Sequence, residues 1–216
     1  SGKIKIFKDG IILPTPFLEL NVDQYGERGL SGIILDKEFD KNGYIYVYYN
    51  VLGGNHNRLS RFTASGNTVI PGSEIILLDF EELNGIAHNS GAMRWALDTT
   101  LIVSIGDGLE STKAQEKDNL LGKIIRLRRD GSAPEDNPFY DILPGRGKYI
   151  YALGLRNPFT MDLHPKTGRI FANDVGGVDW EEINDIKAGF NYGWPEIEGP
   201  ISDQIPPENY QDPTLS

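Results

Sequence analysis

Short apolar runs alternate with polar turns along the whole chain. The runs are rich in β-branched and aromatic residues, Gly and Pro separate them, and no segment keeps the 3.6-residue apolar spacing of an amphipathic helix. Side chains of this kind favour extended backbone. The pattern therefore predicts an all-β protein. The predicted strands cover residues 3–7, 31–35, 44–51, 59–63, 74–78, 92–96, 101–105, 123–127, 149–153, 160–163 and 169–172.

One arrangement of these runs occurs three times. The segments SGIILDKEFDKNGYIYVYY, GAMRWALDTTLIVSIGDG and FTMDLHPKTGRIFANDVGG begin at Ser31, Gly91 and Phe159, and each has an apolar run, a polar turn and a second apolar run. Further strand-like runs follow each copy. Four strands per unit at a period of roughly sixty to seventy residues are typical of β-propeller blades with long connections. The alternative, a chance repetition of ordinary hairpins, stays open on the pattern alone.

The number of repeats is too small for a closed ring. Propellers usually have about four to eight blades, whereas this chain holds about three and a part. It starts in a strand-like segment, KIKIFKDG, and ends in the polar segment PPENYQDPTLS. We expect residues 1–216 to form a single β-propeller domain that lacks part of its first blade and its C-terminal blades. Exposed blade edges would then allow self-association.

Composition narrows the classes of function. With 39% hydrophobic and 24% charged residues, the chain of 216 residues can bury a sizeable core, and it has no apolar run long enough to span a bilayer. A net charge of -10 disfavours nucleic acid as a partner. The absence of cysteine excludes disulfides, thiolate metal sites and a cysteine nucleophile. A cysteine-free chain suits a periplasmic or secreted protein without requiring one.

A histidine and an aspartate flank the second repeat. His88 precedes its first strand and Asp107 follows its second, so a turn near residues 98–100 would bring both to one end of a hairpin. A neighbouring carboxylate fixes the tautomer of an imidazole and raises its basicity, which makes neutral histidine a competent base near pH 7. A surface histidine beside a turn aspartate would explain the same residues.

A second candidate segment is LGLRNPF. Arg156 and Asn157 precede a proline here, which biases Asn157 away from helical backbone and predicts an abrupt connection between two strands. The guanidinium of arginine offers a planar fork of donors for a carboxylate or an oxyanion. The same arginine could equally brace the turn.

A third candidate segment follows the last repeat. The pair Gly176 and Gly177 leaves backbone carbonyls accessible, and carbonyl oxygens are good ligands for calcium. Glu182 and Tyr192 lie in an acidic segment further on, where another calcium could be held. The EF-hand pattern is absent. A glycine-rich turn and a solvated acidic face would also account for this composition.

Taken in order, these motifs resemble those of a known enzyme family. The segments ERGLSGIILDKEFDKNGYIYVYY, HNSGAMRWALDTTLIVSIGDG, NLLGKIIRLRRDGSAPEDNPF, IYALGLRNPF and DVGGVDWEEINDIKAGFNYGWPEIEG cover most of the chain. They are similar to successive motifs of the soluble glucose/sorbosone dehydrogenases that depend on pyrroloquinoline quinone (PQQ). The resemblance implies a β-propeller of the six-bladed quinoprotein glucose dehydrogenase type, of which this chain holds a partial set of blades.

The resemblance also implies a role for each candidate residue. His88 matches the base that takes the proton from the anomeric hydroxyl of the sugar as hydride passes from C1 to the quinone, and Asp107 matches the carboxylate that supports this base. Arg156 matches the arginine beside the reacting quinone carbonyl. Glu27, where some relatives have Gln, and Asn157 match residues that contact the cofactor. Gly176 and Gly177 match the residues whose carbonyls bind calcium, although well-known members have Gly-Pro there. Glu182 and Tyr192 match residues that bind a second, structural calcium.

By this resemblance the protein oxidises an aldose sugar or a related alcohol with PQQ and calcium, passes the electrons to an external acceptor, and is periplasmic or secreted. A second class stays open, because propellers of this family also occur as non-catalytic interaction modules. Relatives hold the PQQ carboxylates with Lys and Arg from C-terminal blades outside this chain. We therefore expect the chain by itself to bind PQQ poorly. Basic residues in those blades would favour the enzyme, and their absence would favour the binding module.

Overall fold

The computed structural model describes residues 1–216, and β-strands dominate it. It contains sixteen strands, one four-residue α-helix and two short 3₁₀ helices, so the all-β prediction is confirmed. No helix of the chain could cross a membrane. The chain divides into two compact units, Ser1–Glu82 (unit 1) and Leu83–Ser216 (unit 2).

Unit 1 is built on one five-stranded antiparallel sheet. Its strands are β1 (Lys3–Ile4), β2 (Phe7–Lys8), β3 (Ile11–Ile12), β4 (Leu18–Glu19), β5 (Leu30–Leu35), β6 (Tyr44–Asn50), β7 (His56–Ser65), β8 (Thr68–Val69) and β9 (Ile75–Glu82). The sheet runs β5-β6-β7-β8, with β9 also paired to β7, while β1–β4 and β2–β3 form two small pairs. Strand β6 is buried on both faces, and its apolar side chains pack with those of Phe17, Val22 and Phe62 to form the core.

Unit 2 contains two antiparallel sheets. Its strands are β10 (Met93–Trp95), β11 (Leu101–Ile105), β12 (Lys123–Leu127), β13 (Ile150–Leu153), β14 (Pro158–Leu163), β15 (Ile170–Asp174) and β16 (Glu182–Ile186). The first four form one sheet in chain order, and the last three form the other. The sheets share an apolar core that includes Ile102, Ile124, Met161 and Ala172. Burial of this apolar surface is the main force that holds the two sheets together.

The three sequence repeats all fold as antiparallel hairpins, β5–β6, β10–β11 and β14–β15. Predicted strands 101–105 and 123–127 coincide with β11 and β12, whereas predicted strand 3–7 is divided between β1 and β2. Strand β16 was missed. Its buried face carries two polar side chains, Glu182 and Asn184, and only one apolar side chain, Ile186, so the hydrophobic pattern did not reveal it.

Candidate functional site

His88 and Asp107 lie together at one end of the β10–β11 hairpin, as the sequence predicts. His88 Nδ1 donates a hydrogen bond to Asp107 Oδ1 at 2.6 Å. The turn of the hairpin is closed by Asp98, whose Oδ1 accepts from the backbone N–H of Thr100 at 2.9 Å. His88 has a φ of 56°, in the left-handed region that non-glycine residues seldom adopt. Unusual backbone of this kind persists only where surrounding contacts hold it.

Two glycines allow the backbone around this pair to approach closely. A Cβ placed on Gly106 would lie 2.1 Å from His88 O and 3.0 Å from Asn157 Oδ1, so only glycine fits there. The backbone N–H of Gly108 donates to His88 O at 3.3 Å. The Gly-Asp-Gly sequence thus sets the position of Asp107 against the histidine.

The Asp107 carboxylate is almost completely buried, with 1% of its side chain exposed. It accepts three hydrogen bonds: from His88 Nδ1, from the backbone N–H of Leu109 at 2.9 Å, and from Trp194 Nε1 at 2.9 Å. Because an ionised carboxylate only accepts, the ring proton of His88 lies at Nδ1 and the lone pair at Nε2. The pair therefore has the tautomer that a general base requires.

Asp174, at the end of β15, holds the Arg156–Asn157 turn. Its Oδ2 accepts from the backbone N–H of Arg156 at 2.9 Å, and its Oδ1 accepts from that of Asn157 at 2.6 Å. The guanidinium of Arg156 donates to Val175 O at 2.9 Å. The backbone N–H of Asp107 donates to Arg156 O at 2.8 Å. These bonds connect the arginine segment directly to the backbone of Asp107, whose side chain binds the histidine.

The side chain of Asn157 is also part of this network. It is buried, and its Oδ1 accepts from the hydroxyl of Ser90 at 2.8 Å. Ser90 lies two residues after His88 and likewise has a positive φ, 50°. The segment that carries the histidine is therefore tied to the segment that carries Arg156 through side chains as well as through backbone.

Two buried carboxyl groups lie side by side across β15 and β16. Asp174 is paired with Glu182 in the strand register. Burial raises the pKa of Asp174 to about 7, and the negative charges of Glu182 and Asp107 add to this effect against two backbone hydrogen bonds that lower it. Burial likewise raises the pKa of Glu182. Asn184 Nδ2 donates to Glu182 Oε2 at 2.9 Å, and its Oδ1 is buried with no partner.

Four of the predicted site residues line one small cavity of about 10 Å³, the space of about one water molecule. They are Arg156, Gly176, Glu182 and Tyr192. The cavity is completed by Asp174, Val175, Trp194, Ile197 and Glu198.

The side-chain oxygen of Tyr192 is already engaged elsewhere. The hydroxyl donates to Asp185 O at 2.7 Å and accepts from the backbone N–H of Lys187 at 2.9 Å. Burial raises its pKa further above the ordinary range. A role of Tyr192 in metal binding would therefore fall to its backbone carbonyl.

The paired glycines form a tight loop around the carboxylate of Glu198. A Cβ on Gly176 would lie 1.5 Å from Trp180 O. Glu198 Oε1 accepts from the backbone N–H groups of Gly177 and of Val178, the latter at 3.0 Å. Burial raises the pKa of Glu198, but hydrogen bonds from residues 177–180 together lower it below the ordinary value. The loop N–H groups are thus used by two carboxylates, that of Gly176 by Glu181 and those of residues 177–180 by Glu198, so a cation at this loop would be held by its carbonyls.

Glu27 is the one predicted site residue in unit 1, where it lies in an exposed turn just before β5. No group of three or more His, Cys, Asp or Glu side chains is arranged to hold a metal ion by itself. Sequence reasoning missed Asp174, Trp194 and Glu198. Asp174 adjoins the paired glycines at a strand end and could have been noticed there, whereas the contacts of Trp194 and Glu198 depend on tertiary structure.

Comparison with known proteins identifies the family to which this chain is similar. The family described as glucose/sorbosone dehydrogenase matches residues 1–214. Aldose sugar dehydrogenase YliI of Escherichia coli K12 is 27% identical over 203 residues, which are 90% of this chain and 53% of that protein. Quinoprotein glucose dehydrogenase B of Acinetobacter calcoaceticus is 29% identical over 212 residues, 84% of this chain and 42% of that protein. The PQQ-bound aldose sugar dehydrogenase of Streptomyces coelicolor superposes with a TM-score of 0.78 at 30% identity, covering 95% of this chain and 58% of that one.

These matches confirm the predicted fold class. The chain has the all-β propeller fold of the quinoprotein glucose dehydrogenase type and contains part of its blades. It spans about half the length of the curated relatives it matches. The matched region includes every element of both units. The chain belongs to the glucose/sorbosone dehydrogenase family.

Proposed function

We propose that the protein oxidises the C1 position of an aldose sugar or a related alcohol, with PQQ and calcium as cofactors and His88 as the general base. One observation carries this proposal: the buried hydrogen bond of 2.6 Å between His88 and Asp107, in the same network as Arg156. Membership of a sugar dehydrogenase family supports it. When bound, PQQ supplies the acceptor for the hydride that leaves the sugar.

His88 and Asp107 supply the proton chemistry. The lone pair at Nε2 takes the proton of the sugar hydroxyl, and the imidazolium that results is stabilised by the Asp107 carboxylate at Nδ1. Three hydrogen-bond donors hold the Asp107 carboxyl group in place against the ring. A positioned base of this kind contributes roughly a hundredfold to ten-thousandfold in rate.

Arg156 supplies positive charge beside the reaction. Its backbone is fixed by Asp174, and its guanidinium donates to Val175 O, so the cation is held in place before substrate arrives. A preorganised cation stabilises negative charge that develops on a neighbouring oxygen. Asn157, locked by Ser90 and Asp174, would provide a further polar contact to the cofactor, as would Glu27.

The residues around the small cavity fit a calcium ion. Asp174 and Glu182 line it as buried neighbours whose pKa values are raised, and outside the cavity lining, on the buried face of β16, the amide oxygen of Asn184 has no partner. A hard cation with oxygen ligands would stabilise such a set. The carbonyls of Gly176 and Gly177 would hold the calcium beside PQQ, and Glu182 with the Tyr192 carbonyl would hold a second, structural calcium.

The fit to PQQ is incomplete within this chain. Arg156 is the only Lys or Arg among the residues that line the cavity, where Asp174, Glu182 and Glu198 also lie. A multiply charged anion needs more positive charge than that. We infer that cations from outside residues 1–216 complete the site within a single propeller domain. The proposed enzyme is periplasmic or secreted, and it passes its electrons to an external acceptor.

The test is dye reduction by the full-length protein with PQQ, calcium and a panel of aldoses. We expect activity that requires both cofactors and that falls about a hundredfold to ten-thousandfold in kcat/KM with His88→Gln. His56→Gln is the matched control, because His56 also contacts an aspartate, Asp79, and it should leave activity unchanged. Full activity in His88→Gln would remove His88 from its role. Folded wild type that binds neither PQQ nor sugar would instead favour the interaction module.

A further inference from the structure

Trp194 contacts three separate parts of the candidate site. Its Nε1 donates to Asp107 Oδ2 at 2.9 Å. The guanidinium carbon of Arg156 lies 5.4 Å from the centre of its ring. A Cβ placed on Gly177 would be 3.2 Å from its Cη2 atom, so the far edge of the ring lies against the paired-glycine loop. One side chain thus spans the histidine's carboxylate, the arginine and the glycine pair.

The backbone of Trp194 is held firmly enough for this role. Its N–H donates to Gly154 O at 3.0 Å, and its carbonyl accepts from Gln115 Nε2 at 2.7 Å. Gln115 is fixed in turn by reciprocal hydrogen bonds with Asn191, at 3.0 and 2.7 Å. The indole is therefore carried by an anchored backbone.

We propose that Trp194 is a positioning residue that fixes Asp107 and Arg156 relative to each other, its indole N–H acting on the carboxylate and its ring face on the guanidinium. The inference rests on the proposed function of His88 and Arg156, and it assigns Trp194 no contact with the reacting atoms. A neutral donor on Oδ2 withdraws negative charge from the carboxylate and so limits how strongly Asp107 stabilises protonated His88. A cation over an indole face is held more tightly than one in water.

The two functions of the ring can be separated by substitution. Trp194→Phe keeps an aromatic face for Arg156 but removes the N–H donor, whereas Trp194→Leu removes both. 3-Benzothienylalanine at position 194 keeps the size and shape of the indole ring but has sulfur in place of N–H. It therefore removes the donor without the poor packing that the smaller phenylalanine ring would cause. Trp95→Phe is the control, because Trp95, in strand β10, also has an arginine over its ring. The guanidinium carbon of Arg129 lies 5.9 Å from the ring centre.

The first readout is an NMR titration of the His88 ring in the full-length protein without PQQ or sugar, assigned by its loss in His88→Gln. The charged groups of this network are Asp107, which is bonded to His88, Arg156, which lies over the Trp194 ring, and Asp174, whose pKa is raised in part by the charge of Asp107. Loss of the Trp194 donor leaves more charge on Asp107, so the midpoint of the His88 NMR titration should move to higher pH in all three variants that lack the donor. Trp95→Phe should leave it unchanged.

The second readout is the pH profile of kcat/KM of the PQQ-loaded enzyme. Its acidic limb should move upward by the same amount in Trp194→Phe and in the benzothienyl variant, while Trp194→Leu should also lower kcat about tenfold, since Arg156 loses its support. An unchanged His88 titration in the benzothienyl variant would overturn the proposal. Shifted titration in a protein with no sugar oxidation would uphold the positioning role and refute the proposed function, so the two failures are distinguishable.

Discussion

The molecule contains two histidine–aspartate pairs, one in each unit, and only one has the environment of a base. In unit 2, His88 Nδ1 lies 2.6 Å from Asp107, whose side chain is 1% exposed. In unit 1, His56 Nε2 lies 3.3 Å from Asp79, whose side chain is 44% exposed. Arg58 also binds Asp79 with two hydrogen bonds, at 2.5 and 2.9 Å, and lowers its pKa.

The partners of each carboxylate explain the difference. The negative charge of Asp79 is neutralised by Arg58, and His56 Nδ1 also lies 2.7 Å from Gly54 O, so both nitrogens of His56 face acceptor oxygens. Asp107 has no cation among its three donors, and its charge acts on His88. A histidine beside an aspartate is thus either a structural contact or a general base, according to what else binds the carboxylate.

Asp107→Asn should have the largest effect. The amide can donate to Nδ1, which would move the ring proton of His88 to Nε2 and remove the lone pair that accepts the sugar proton. We expect kcat/KM for sugar to fall about a thousandfold, with PQQ affinity retained. Steady-state dye reduction and PQQ titration measure the two quantities.

Asp79→Asn is the matched control for that variant. It removes the carboxylate of the other pair, and we expect it to change kcat/KM by less than about twofold. Equal losses of kcat/KM in Asp107→Asn and Asp79→Asn would mean that both carboxylates affect activity only through the stability of the fold. The distinction between the two pairs would then be wrong.

Arg156→Lys should have the next largest effect. Lysine keeps the charge but loses the planar fork that reaches Val175 O and the flat face that lies over Trp194. We expect kcat to fall about tenfold to a hundredfold, measured with saturating sugar. Arg58→Lys breaks the two bonds to Asp79 and should lower thermal stability with kcat unchanged. Unaltered kcat in Arg156→Lys would show that the guanidinium geometry is unimportant.

Buried Asp174 and half-buried Asp79 should make the stability of the protein depend on pH with opposite signs. The pKa of Asp174 in the folded protein is raised from 3.8 to about 7. Between these values the folded protein binds this proton more tightly than the unfolded protein does. The free energy of unfolding should therefore fall as pH rises from about 4 to 7. The pKa of Asp79 is lowered, so its contribution is present above about pH 4 and lost on acidification.

Urea unfolding of the full-length protein in a calcium chelator, followed by tryptophan fluorescence, measures these slopes. Asp174→Asn should remove a loss of roughly 3 kcal/mol between pH 4 and 7, and added calcium should reduce that loss in wild type. An identical pH slope in Asp174→Asn and wild type would contradict the assigned burial cost.

The sequence predicted the hairpins well because the repeats carry a strong period-2 pattern with turn residues between the runs. It predicted the His88–Asp107 contact because both residues flank one hairpin, where strand register fixes their separation. It could not predict Trp194, whose indole reaches Asp107 across 87 residues of chain. It also missed β16, because two of the three side chains on its buried face, Glu182 and Asn184, are polar and only Ile186 is apolar.

The most direct measurement of the central claim is the protonation of the two ring nitrogens of His88, read by ¹⁵N NMR of the full-length protein above its titration. The hydrogen bond to buried Asp107 predicts the proton on Nδ1 and a lone pair on Nε2. A proton on Nε2 would contradict the account, because His88 could not then accept a proton from a sugar hydroxyl.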